Sequence, residues 1–256
     1  MRMKAMKKLL TSLLFAPLLA LASGPELHLD KAPVSTEPAA LQNGAKLFVN
    51  YCLNCHGASY MRYNRLQQIG LSEQMIKDNL MFTADKIGEP MRIAMQRDEA
   101  KVWFGAAPPD LTVISRSRAS EFGSGADWLY TYLRGFYRDE TRPTGWNNLV
   151  FDKVGMPHVF WQWQGEQRLV TVKENGHDVQ KLELVTPGTM TRMVNGKPDT
   201  REFDQRMADL TNYMVFMGEP SQVKRHQVGY VVLMFLVLVM LPLAYLLKKE
   251  YWKDIH

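Results

Sequence analysis

The only two cysteines of this 256-residue chain stand three positions apart, and a histidine follows at once: Cys52-Leu53-Asn54-Cys55-His56. Two thiols at that spacing, on the end of one helix, can add to the two vinyl groups of a single porphyrin. The imidazole that follows is then held under the iron as its proximal ligand. The pattern reads as covalent attachment of one haem c through Cys52 and Cys55, with His56 as an axial iron ligand. Three readings compete with it: a thioredoxin-like redox pair, half of a zinc site, and a plain disulfide. A redox pair should follow a strand of a βαβ unit, and none is visible. Zinc would want two further ligands at similar spacing.

The two ends of the chain deal with membranes. Arg2, Lys4, Lys7 and Lys8 form a positive head before the apolar run Leu9–Leu19, and Ala20-Leu21-Ala22 offers a small-residue cleavage site. Residues 1–22 therefore read as a cleaved signal peptide, which places the body across a bacterial inner membrane, in the periplasm. Val228–Leu247 is twenty residues without a charge. At about 1.5 Å per residue, such a helix covers roughly the 30 Å of a bilayer core. Tyr230 at one end and Tyr245, Tyr251 and Trp252 at the other resemble an aromatic belt. The domain boundaries expected are signal peptide 1–22, haem domain 23–223 with an extended arm over 23–42, and anchor with short cytoplasmic tail 224–256. The net charge of +5 belongs to these ends, because residues 23–223 hold 22 basic and 24 acidic side chains. A mildly acidic body is a poor partner for nucleic acid.

Around the cysteines the pattern is helical. Asn43 is placed to cap a helix carrying Leu47, Phe48 and Tyr51, and Gly44, Phe48 and Cys52 share one face at successive fourth positions. Downstream, Met207, Leu210, Met214 and Met217 form a helical stripe beside Tyr213, ending at Gly218-Glu219-Pro220. A glycine on one helix lets a second cross it closely. These residues resemble the paired terminal helices of class I cytochrome c. For the sixth iron ligand there are 11 methionines between the two membrane segments. Most of them read as packing positions: Met207, Met214 and Met217 on the stripe, Met91 and Met95 as an i,i+4 pair in a helix, Met75 and Met81 elsewhere. Met156 stands in a loop, Val154-Gly155-Met156-Pro157, and is the ligand expected, with Met190, Met193 and His158 as rivals.

The middle of the chain adds Ala107-Pro108-Pro109-Asp110-Leu111, a rigid bend whose Asp110 can cap a helix through Ile114. Arg116 and Arg118 follow, either of them suited to a haem propionate. Trp128–Phe136 reads as an amphipathic helix, and Leu169–Val172 with Val179–Val185 as a β-hairpin around Asn175-Gly176.

In order along the chain, Cys52-x-x-Cys55-His56, Tyr63-x-Arg65-Leu66, Pro108-Pro109-Asp110-Leu111 with Arg116-Ser117-Arg118, Gly135-Phe136-Tyr137, Pro143-Thr144-Gly145 with Asn147, and Gly155-Met156-Pro157 resemble the cytochrome c1 family. Those proteins are the haem subunit of the quinol–cytochrome c reductase, the bc1 complex. One departure is local: the family usually has Met-x-Pro-Pro where this chain has Met156-Pro157-His158. The resemblance implies a mainly α, class I cytochrome c-like haem domain with long insertions, one β-hairpin and a single C-terminal transmembrane helix. It implies that Cys52 and Cys55 bind the haem, that His56 and Met156 ligate the iron, and that Arg118 meets a propionate. It further implies an electron-transfer subunit rather than an enzyme in its own right. Such a subunit sits with cytochrome b and the Rieske iron–sulfur protein, takes one electron from the latter and passes it to a cytochrome c. A membrane-anchored carrier feeding a terminal oxidase or another periplasmic reductase is the alternative, and a haem peroxidase with open iron a third.

Overall fold

Pro38, whose ring fixes φ and which has no N–H to leave unsatisfied, opens the first helix of the computed structural model, α1 (Pro38–Leu47). The structure describes residues 28–174 and 177–254; the expected signal peptide and the Asn175-Gly176 turn lie outside the described residues. Because Pro38 starts the helix, the extended arm ends at Glu37 rather than at residue 42. Asn43 consequently lies inside α1 and caps nothing; its amide donates to Asp209 Oδ2 at 3.3 Å. Beyond Leu47 the helix widens into a π-turn over Phe48–Cys52, closed by Leu53 N donating to Phe48 O at 3.0 Å.

The last helix before the apolar C-terminal one runs over Arg201–Gly218 and buries Met207, Leu210, Tyr213, Met214 and Met217, the stripe read from the sequence. It crosses α1 at Gly44. A methyl group on Gly44 would lie 2.1 Å from the Asp209 carbonyl oxygen and 2.6 Å from Tyr213 Cβ, so only glycine permits this approach. Phe48 and Tyr213 fill the angle with ring centroids 5.5 Å apart. Leu41, Ala45, Val49, Met61, Tyr63, Leu66 and Phe203 complete the core around the crossing.

Between these two helices the chain is mostly short elements. They are β1 (Ala58–Arg62), a 3-10 segment Tyr63–Ile69, α2 (Glu73–Asn79), β2 (Pro90–Met91), α3 (Arg97–Phe104), α4 (Ile114–Ser117), and α5 (Gly125–Arg134). Next come β3 (Phe136–Arg138), β4 (Trp146–Asn148), α6 (Trp161–Gln164), β5 (Gly165–Glu174), β6 (His177–Pro187), β7 (Arg192–Val194) and β8 (Lys197–Asp199); the terminal helix is then α7. Helix predominates, as expected, but the single hairpin becomes four antiparallel pairs among the described residues: β1–β2, β3–β4, β5–β6 and β7–β8. The large pair is the hairpin read from alternation, registered from Gly165↔Pro187 to Glu174↔His177. The others are too short for a period of two to show.

The same limitation displaced Met91 and Met95. Met91 sits in β2, opposite Ala58 of β1, and Met95 precedes α3, so they share no helix. Met75 is half exposed on α2 and packs little. The arm is held by its side-chain partners. Lys31 Nζ and Ala32 N bind the Asp127 carboxylate at 2.8 and 2.9 Å, and Asp30 N donates to Thr131 Oγ1 at 2.8 Å. Asn212 of α7 brackets Pro33 and Ser35.

Past Gly218 only three residues intervene before a continuous 30-residue helix, Gln222–Tyr251, whose apolar 18-residue window has mean hydropathy 2.6 and is wholly unburied. It comprises α8 (Gln222–Phe235), a π-turn at Leu236–Met240 and α9 (Leu241–Tyr251). Pro242 lacks an N–H and its ring crowds the carbonyl four residues back, which is the register the π-turn relaxes.

Candidate haem site

The cysteine turn is the outlet of α1. His56 N and Cys55 N both donate to Cys52 O, at 2.8 and 3.1 Å, which folds the histidine back under the helix end. Cys52 is buried, Cys55 partly so, and no disulfide joins them. Burial, with Cys55 beside it, pushes the Cys52 thiol up to about 12. A helix and a π-turn, not a strand, lead into Cys52, so the motif lacks the strand that a thioredoxin-like redox pair follows. The zinc reading lacks ligands: no three His, Cys, Asp or Glu side chains converge among the described residues.

His56 Nδ1 donates to the Pro109 carbonyl at 2.8 Å. A carbonyl can only accept, so the proton is on Nδ1 and the lone pair on Nε2, the tautomer in which a proximal histidine binds iron. Burial lowers the imidazole pKa against the opposing pull of Pro109 and Asp110, keeping the ring neutral. The Pro108-Pro109-Asp110 bend is thus a clamp. Its Asp110 does not cap α4, whose N-cap is Val113 without a side-chain bond. The carboxylate instead accepts from Ser59 N at 2.7 Å and from Thr112 N and Oγ1 at 2.9 and 2.5 Å, while Leu111 N donates to Gly57 O. Burial would raise this carboxyl, but those hydrogen bonds hold it below its ordinary value.

The segment that follows the Met156 loop packs against the end of the attachment helix. Tyr51, one residue before the first cysteine, packs against Phe160 and Trp163 with centroids 5.1 and 4.8 Å apart. Gly155 lies beside the carbonyl of Phe104 at the end of α3. Met156 is partly buried next to Phe136, Trp146 and Val154, and its sulfur accepts a hydrogen bond from Tyr132 Oη at 3.3 Å. The rivals sit differently. Met193 is 47% exposed on β7, and Met190 packs against the main core. His158 is walled in by Phe136, stacked at 4.8 Å, and by Trp146, edge-on at 5.0 Å. Burial there lowers its pKa to about 3.

Of the two arginines, Arg116 is committed to Glu219 at 2.7 Å. Arg118 lies over the Trp128 ring at 4.6 Å and near Phe151 at 5.4 Å. Its Nε is buried without a hydrogen-bond partner. A buried guanidinium nitrogen left unpaired is costly, and a carboxylate of a bound group is the partner that geometry suits. The cysteine pair, an imidazole whose Nε2 carries the lone pair, a loop sulfur and an orphaned guanidinium are a donor set that fits a haem. Sequence reading missed the Pro109 carbonyl and Tyr132. The only signal for Tyr132 was its place four residues from both Trp128 and Phe136.

Comparison with known proteins supplies the frame for this geometry. The sequence model of the Cytochrome C1 family matches residues 30–255. A Nitrosomonas europaea protein named ammonia monooxygenase gamma subunit is 51% identical over 99% of this chain and all of its own length. Cytochrome c1 of Allochromatium vinosum is 44% identical over 98% of this chain and all of its own. That of Rhodospirillum rubrum is 28% identical over 84% of this chain and 81% of its own.

Proposed function

The chain belongs to the cytochrome c1 family, carriers of one covalent haem c and electron-transfer subunits of the bc1 complex, and on that premise we propose which residues do the work and between which partners. Cys52 and Cys55 would hold the haem by thioethers, His56 Nε2 and Met156 Sδ would ligate its iron, and Arg118 would pair with a propionate. The haem supplies a one-electron ferric/ferrous couple. His56 is kept neutral and oriented by Pro109. Phe136, Trp146 and Val154 line the Met156 side with apolar surface, which excludes water and favours the less charged, reduced site. With both residues ligating, the iron would have no open position for oxygen or peroxide, which would suit electron transfer.

One electron arrives from the Rieske iron–sulfur subunit and leaves to a cytochrome c, while cytochrome b holds the anchor within the membrane. Residues 228–247 span the bacterial inner membrane, with the haem domain periplasmic and the C-terminus cytoplasmic. The observation that carries this reading is the His56–Pro109 hydrogen bond, which fixes the ligand tautomer and joins the attachment motif to the downstream bend. The relative named for a monooxygenase favours a second reading, in which the chain exchanges electrons with that class of enzyme.

Solubilisation in mild detergent followed by identification of co-purifying chains separates the two. Cytochrome b and an iron–sulfur protein are expected; a monooxygenase chain in their place overturns the first reading. A high-spin ferric spectrum overturns both.

A further inference from the structure

We propose that Tyr132 is a positioning residue for the iron's sulfur ligand, its hydroxyl donating to Met156 Sδ at 3.3 Å and so biasing the iron toward the ferrous state. The inference rests on Met156 being that ligand. A thioether sulfur has two lone pairs; with one on iron, the other remains to accept an O–H. Drawing density from the sulfur weakens its donation to ferric iron more than to ferrous iron, which is one way outer groups tune a haem.

Three features make this contact more than a chance approach. The ring of Tyr132 is pinned: it stacks on Trp128 at 4.9 Å and 12°, and meets Phe136 edge-on at 5.2 Å and 70°. Trp128 is itself covered by the Arg118 guanidinium at 4.6 Å, so the orientation of the phenol is tied to the arginine assigned to the propionate. Asn148 Nδ2 fixes the backbone of Tyr132 by a 2.8 Å bond to its carbonyl. The sulfur is also the hydroxyl's only hydrogen-bond partner among the described residues. Removing the hydroxyl therefore disturbs no other bond.

The test is Tyr132→Phe in the full haem-loaded chain, read by redox titration and by the sulfur-to-iron absorption band of the ferric form. The variant should remain low-spin and keep its thermal midpoint. Its ferric/ferrous equilibrium should shift about threefold toward ferric, or ~28 mV at 59 mV per tenfold for a one-electron couple, and the band should move. Tyr213→Phe removes the one other tyrosine–methionine hydrogen bond among the described residues, Tyr213 Oη to Met91 Sδ at 3.5 Å in the core, and should leave the band in place. An unchanged potential and band in Tyr132→Phe overturn the proposal, as does an equal band shift in Tyr213→Phe. Met156→Leu, measured alongside, tells this failure from that of the ligand assignment. If Met156→Leu retains the band, the assignment itself is wrong; if it loses the band while Tyr132→Phe matches the unaltered protein, only the role of Tyr132 falls.

Discussion

His56 and Met156 depend on groups far away in sequence, and this decides what can be tested one side chain at a time. Leucine in place of Met156 nearly conserves volume, so the fold should lose less than about 1.5 kcal/mol. Ligation has no such tolerance, because leucine offers no lone pair. Met156→Leu should lose the sulfur-to-iron absorption, bind carbon monoxide and fall in potential, while Met190→Leu and Met193→Leu leave the spectrum unaltered. A retained spectrum in Met156→Leu with loss in either of the others would move the ligand. The thiols and the imidazole were legible in the sequence because their geometry is local, complete within five residues. The Pro109 carbonyl and the Tyr132 hydroxyl were not, since their partners lie 53 and 24 residues away and a backbone carbonyl carries no sequence signature at all.

Among elements, the crossing of α1 and α7 is the most demanding. Gly44→Ala gains a little helix propensity, under about 1 kcal/mol. It also drives a methyl group into the Asp209 carbonyl, which cannot rotate away. Overpacking against backbone should cost about 3 kcal/mol or more, seen as a large drop in thermal midpoint and poor haem incorporation. An alanine variant as stable as the parent would mean the helices do not cross there. The arm gives a second prediction. Burial alone would raise the Asp127 carboxyl, but Lys31, Ala32 and Ser124 hold it at about 2. A depressed carboxyl stabilises the fold above its ordinary value, near 4, and that contribution is lost as pH falls through about 2. Asp127→Asn should therefore flatten acid unfolding between those values and cost on the order of 1 kcal/mol at neutral pH, once the exposed Lys31 is discounted for screening. Unchanged acid unfolding would count against the clamp. This crossing was readable because Gly44, Phe48 and the methionine stripe keep helical spacing. The displaced start of α1, and the strand that took Met91, were not: a proline at N1 outranked Asn43, and two-residue strands exist only by pairing with β1.

For the whole molecule, the sharp change at residues 219–221 from buried helix to unburied apolar helix predicts separable parts. A chain stopped before Val228 should be exported, soluble and red, yet absent from the purified complex. A truncated product unable to retain haem would place the anchor within the haem domain. The acidic balance of residues 23–223, with 22 basic and 24 acidic side chains, bears on the acceptor. Electron transfer to a basic cytochrome c should slow as salt rises, since screening shortens the reach of such a field to about 8–10 Å near physiological strength. A rate indifferent to salt would indicate a neutral or anchored acceptor.

Glu219 receives Arg116 of α4 at 2.7 Å and Arg225 of α8 at 2.5 Å, so one carboxylate staples the haem-bearing body to the first turn of the anchor. The three residues available there reach at most about 10 Å when stretched. The body is therefore mounted like a lamp on a short bracket, not hung from a cord. Its altitude above the lipid surface is set by the protein itself, and any redox partner too distant for direct electron exchange must do the travelling.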